Sequence, residues 1–113
     1  MASSGIQDGD GVEQGRLSEP DTWPATGERF VTLAQLGGVR VEEILSGPDV
    51  EPEDYDQAHD EWVVLVQGAA TLTIRDERVT LTAGDWILLP ARTPHRVEWV
   101  EPGTRWLAVH ADG

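Results

Sequence analysis

The nitrogen donors this 113-residue chain can offer to chemistry are few: three histidines, with no cysteine beside them. His95 ends the stretch GDWILLPARTPH, where a Gly-Asp turn, an apolar run and a Pro-x-x-x-Pro corner lead directly to the imidazole. His59 lies in QAHDEWVVLVQG, two residues after Gln57 and two before Glu61. Successive side chains on a strand point to opposite faces, so Gln57, His59, Glu61, Val63 and Leu65 share one face of an unbulged strand. By the same alternation His95, Val97 and Trp99 share a face. If both faces point into one closed sheet, its mouth holds Gln57, Glu61 and His95, with His59 within reach.

An imidazole, a carboxylate and an amide oxygen suit a divalent ion such as Fe, Mn, Ni or Zn. One histidine and one carboxylate make a weak cage, because catalytic zinc sites usually use three protein ligands. His59 is the candidate for the missing nitrogen, although residues two apart on a strand are separated by about 6.5–7 Å. Glu61 is singled out by cost: a carboxylate on the apolar run EWVVLV is expensive to bury unless it is paired or metal-bound. Gln57 also fits a metal-free site, since its amide can orient a substrate hydroxyl.

His110 closes RWLAVHA on one face with Trp106 and Ala108, and is the candidate for proton transfer, against a packing or dimer-contact role. Trp99 is the candidate wall for a stacked ring or sugar. Arg96 is the candidate cation for an acidic substrate group, against a plain surface salt bridge.

These residues need elements to hold them. From Val39 onward the chain reads as short apolar or alternating runs: VRVEEILS, EWVVLVQG, ATLTI, VTLTAGD, WILLP, HRVEWV and RWLAVHA. Turn residues separate them at about 8–12 residue spacing, the cadence of an antiparallel sandwich or barrel. ERFVTLAQL is ambiguous between helix and strand. Gly68 and Gly84 are expected at turns with positive φ, and Asp85 is expected to bond the turn backbone. Residues 1–25, rich in Gly, Ser, Asp and Glu, are expected to form a flexible acidic tail, leaving 26–113 as one domain.

Two spacings resemble the signature motifs of the cupin family. Glycine, five residues, proline, and a histidine five positions on is met at Gly84, Pro90 and His95. It departs from the family pattern at Arg92, where glycine is favoured, and at Trp99, where asparagine is frequent. The other motif is met at Glu61 and Gly68, but Gln57 and Tyr55 stand where its two histidines belong. YDQAHDEWVVLVQG, HRVEW and WLAVH are similar to a group of small bacterial single-domain cupins. The resemblance runs from about Val39 to Ala111. It implies an all-β antiparallel jelly-roll barrel, a divalent-metal pocket and isomerase, lyase, decarboxylase or dioxygenase chemistry, with Tyr55 at a substrate-facing position. The altered motif points equally to a metal-free small-ligand or carbohydrate-binding module, and a dimeric barrel with a vestigial pocket is the third reading.

Charge narrows the partners. The net charge is −13, which repels phosphate backbones and anionic lipids, so neither nucleic acid nor membrane is expected. A neutral, weakly acidic or cationic small molecule is the expected ligand. A domain of this size hides only about 60–65% of its unfolded surface, so a homodimer is expected. The N-terminus has neither a basic start nor an apolar core of a signal peptide, which makes the cytoplasm the expected compartment.

Overall fold

A computed structural model describes residues 11–111 of the chain. Nine strands form two antiparallel sheets: β1 (Glu28–Leu36), β2 (Val39–Ser46), β3 (Glu53–Tyr55), β4 (Asp60–Gln67), β5 (Ala69–Ile74), β6 (Glu77–Thr82), β7 (Trp86–Leu89), β8 (His95–Val100) and β9 (Thr104–Ala111). The five-stranded sheet has the order β1-β2-β9-β4-β7 and the four-stranded sheet the order β3-β8-β5-β6. Among the described residues the only helical element is a single 3-10 turn at Pro20–Thr22. None is long and apolar enough to cross a membrane. ERFVTLAQL resolves as β1, paired along its length with β2.

The alternation expected for β4 holds. Glu61, Val63 and Leu65 are buried while Trp62 and Val64 between them are only partly so. Val63 and Leu65 join Leu72, Leu81, Val100, Trp106 and Ala108 in the core between the sheets. Burying such side chains contributes roughly 1.5–3 kcal/mol each, enough to fix which face of every strand turns inward.

The turns behave as the sequence implies. Gly68 has φ +100° and Gly84 φ +96°, and the Asp85 carboxylate accepts the Thr82 amide at 2.8 Å.

Adjacent Glu42 and Glu43 on β2 must point to opposite faces. Glu42 lines the barrel interior. Glu43, fully buried, faces the outer side, where Arg105 Nη1 meets it at 2.6 Å. Ser18 adds its hydroxyl at 2.8 Å and its amide at 3.1 Å, and the Arg105 guanidinium lies 5.5 Å from the Trp23 ring centre. Of the tail expected over residues 1–25, residues 1–10 lie outside the described residues, and Ser18 and Trp23 are held against the five-stranded sheet.

Candidate functional site

The barrel mouth opens into a cavity of about 100 Å³. Five of the residues singled out for a site line it, four of them being Tyr55, Gln57, Glu61 and His95. They arrive from β3, the loop after it, β4 and β8. His110 from β9 joins them, because it is the register partner of Glu61. Two further carboxylates, Glu28 from β1 and Glu42 from β2, complete the polar lining.

His95 is held on two sides. Its Nδ1 lies 2.9 Å from the Thr93 carbonyl oxygen. A carbonyl only accepts, so Nδ1 carries the proton and Nε2 is left as the acceptor. The Tyr55 ring, opposite His95 in the β3–β8 register, stacks on the imidazole with centroids 5.3 Å apart and planes 15° apart. Tyr55 donates its hydroxyl to Glu53 Oε1 at 3.2 Å. Burial first, and then the carboxylates of Glu53, Glu28 and Glu61, push its phenol well above the ordinary value. Tyr55 therefore stays neutral and does not act as a phenolate.

Glu28 has a built-in partner. Trp106 Nε1 donates to Ser46 Oγ at 3.0 Å, and Ser46 donates to Glu28 Oε2. Burial raises the Glu28 pKa, the Ser46 hydrogen bond opposes that shift, and nearby Glu53 adds to it.

Three candidate residues lie outside this cavity. His59 does not turn into the cavity beside Glu61: its Nε2 lies 3.0 Å from His110 Nδ1, with the two rings edge to face at 69°. Trp99 is 51% exposed and not a cavity wall. In the β5–β8 ladder Thr71 faces Trp99 and Leu72 faces Val97, so Glu98 is an extra residue in β8. Such a bulge reverses the alternation beyond it, turning Trp99 out and Val100 in. Arg96 pairs with Asp54 at 3.0 Å and Glu98 at 3.3 Å and lines a second pocket, on the outer side, together with Tyr55 and His95.

The donor set does not fit the divalent metal implied by the motifs. Among the described residues no three His, Asp or Glu side chains gather closely enough to hold an ion. His110 has both nitrogens engaged, one by His59 and one by Glu42 Oε1 at 3.0 Å. Neutral Tyr55 and the amide of Gln57 stand where the motif places imidazoles. What remains is Glu61 with the Nε2 of His95, and the weakly coordinating amide oxygen of Gln57 is the third donor in the cavity, against the three strong ligands of the usual catalytic set.

Residues 40–110 match the sequence profile of the cupin domain. The chain is a cupin. A crystal structure from Ralstonia eutropha JMP134, provisionally named a mannose-6-phosphate isomerase, is 33% identical, with TM-score 0.76 over 90% of this chain and 100% of that one. KdgF from Halomonas sp. is 19% identical, with TM-score 0.70 over 77% of this cupin and 80% of its own chain. EutQ from Clostridium difficile is 16% identical, with TM-score 0.64 over 76% and 63%. At those identities the last two speak for the fold alone.

Glu28 and Glu42 escaped the sequence reading. A signal for Glu42 was present: in VRVEEILS two neighbouring glutamates cannot both face solvent, so one must be buried with a partner. For Glu28 no signal existed, since its strand read equally well as a helix.

Proposed function

We propose that this cupin takes a small, polar, unphosphorylated organic molecule into its barrel cavity and exchanges protons with it without a resident metal. The observation that carries this reading is the shared cavity of Glu61 and His95, the latter anchored through Nδ1 so that Nε2 is the available base. Glu61 and Gln57 supply the hydrogen-bonding groups that orient a hydroxyl or amino group. Glu28, whose pKa burial raises, lines the same cavity.

The name of the Ralstonia relative suggests a phosphorylated sugar. Three carboxylates, Glu28, Glu42 and Glu61, line the cavity against that charge. A phosphate would be repelled at close range and in a poorly screened space. The ligand class is therefore a neutral polyol or sugar, or an organic cation.

Thermal melting with an aldose, its amino-sugar analogue and its phosphate ester tests the proposal. The first two should raise Tm and the ester should not. The rise should vanish in His95→Ala and Glu61→Gln and persist in EDTA. Preferential binding of the ester, or a requirement for added metal, would overturn it.

The homodimer expected from chain size also belongs to this reading. Trp86 and Leu88 on the edge strand β7 are 59% and 57% exposed, and Trp86 packs 5.9 Å from Trp62 on β4. These exposed apolar side chains are where two strongly acidic chains can approach.

A further inference from the structure

We propose that the ligand of the barrel cavity is an organic ammonium ion with Glu61 as its counter-charge, an inference that rests on the reading of the cavity as a metal-free ligand site. Glu61 lines the cavity and is only 9% exposed. Its carboxylate nevertheless makes no hydrogen bond or ion pair with another described residue. A carboxylate so far removed from water is costly unless a partner answers it. The partner that the chain does not supply is a cation from outside.

The rest of the lining has acceptors to spare and its donors are committed. His95 gives its Nδ1 proton to the Thr93 carbonyl, which leaves Nε2 as an acceptor. Glu28 is answered by the Ser46 hydroxyl on Oε2 alone. Tyr55 donates to Glu53 and Trp106 to Ser46. Both nitrogens of His110 are engaged, by Glu42 and His59. Among the described lining residues only the Gln57 amide is left to donate. An ammonium group carries three donors and no acceptor, the complement of this lining. A hydroxyl brings one donor together with lone pairs that would face carboxylates.

Charge points the same way. No arginine is among the described lining residues, and the chain has no lysine. Glu42 is already balanced by Arg40 at 3.2 Å, so the uncompensated charge falls on Glu61 and then on Glu28. Tyr55 registers that field: after burial, the carboxylates of Glu53, Glu28 and Glu61 hold its phenol protonated. Phe30, Tyr55 and Trp106 add aromatic walls, whose π-faces attract cations. A space of about 100 Å³ has room for about three water molecules at roughly 30 Å³ each. That suits a small amino alcohol or the ammonium-bearing end of a longer molecule.

The test is an NMR titration of the full chain at neutral pH with three compounds of similar size: aminopropanol, propanediol and hydroxypropanoate, which are cationic, neutral and anionic. Aminopropanol should bind about tenfold or more tightly than propanediol, the worth of hydrogen bonds to a charged group, and hydroxypropanoate more weakly than either. Glu61→Gln, which keeps the shape and removes the charge, should cost the amine more than the diol and erase the difference. Glu77→Gln, at an exposed carboxylate of β6, should leave the difference as it was. Equal affinity for amine and diol in the unmodified chain would overturn the inference while leaving the cavity a ligand site. A preference retained in Glu61→Gln, or lost in Glu77→Gln, would assign it to the general field of an acidic surface and overturn it as well. Binding of none of the three would overturn both this inference and the reading on which it rests.

Discussion

The Tyr55 ring lies nearly parallel to the His95 imidazole, 5.3 Å between centroids, on strands whose register places the two residues opposite one another. Stacked pairs of this kind contribute about 0.5–1.5 kcal/mol beyond the area they bury. A double-mutant cycle with Tyr55→Leu and His95→Ala should return a coupling in that range by urea unfolding. A coupling near zero would mean that Thr93 alone holds the imidazole.

Acid should affect Glu28 in an unusual sense. Its folded pKa is raised above the ordinary carboxylate value, chiefly by burial. A raised value means that its contribution to stability is complete below the unfolded pKa and is lost as pH climbs through the folded one. Glu28→Gln keeps an acceptor for Ser46 but cannot ionise. Relative to the parent, this variant should gain Tm at neutral pH and lose that advantage below about pH 4. An advantage independent of pH would show that the carboxylate is not strained by its surroundings.

On the outer face, Glu43 and Arg105 form a buried pair tied to Ser18. Removing one partner of such a pair typically costs about 3–5 kcal/mol, because the other is left as an uncompensated buried charge. Arg105→Met should show that loss in denaturant unfolding. Combined with Glu43→Met, the loss should shrink.

The two motif glycines should separate in their tolerance of substitution. A Cβ on Gly68 would sit 2.2 Å from Thr104 Oγ1 and 2.7 Å from Thr104 Cα, whereas at Gly84 it would meet nothing within 4 Å. Both have positive φ, worth about 1–3 kcal/mol of strain for another residue. Gly84→Ala should lose only that, and Gly68→Ala measurably more. Equal losses would mean that the Thr104 strand yields freely.

If the face around Trp86 joins two copies, Trp86→Glu should shift the protein to monomer in sedimentation velocity and leave its fold intact. An unchanged sedimentation coefficient would remove this face from consideration.

The sequence carried the fold because its strands alternate cleanly and its turns use glycine and aspartate where positive φ and backbone capping require them. The site was half legible. Strand alternation grouped Gln57, Glu61 and His95, and the family resemblance added Tyr55; the grouping of Glu61 with His95 works because no irregularity intervenes between Glu61 and Leu65 or between His95 and Val97. Trp99 was misplaced because a single inserted residue leaves no mark in composition. His59 was misplaced because its partner, His110, comes from a strand 51 residues away. Such pairings depend on sheet order, which local pattern does not encode.

The supernumerary Glu98 divides β8 into two stretches with opposite allegiance. His95 and Val97 serve the cavity, and Val100 serves the apolar interior. Removing Glu98 would leave Val97, Trp99 and Val100 opposite Leu72, Thr71 and Ala70 in an unbroken ladder, with the same side chains facing in and out. The extra residue therefore lends the strand a local bend and added twist without exchanging the side chains that fill the container.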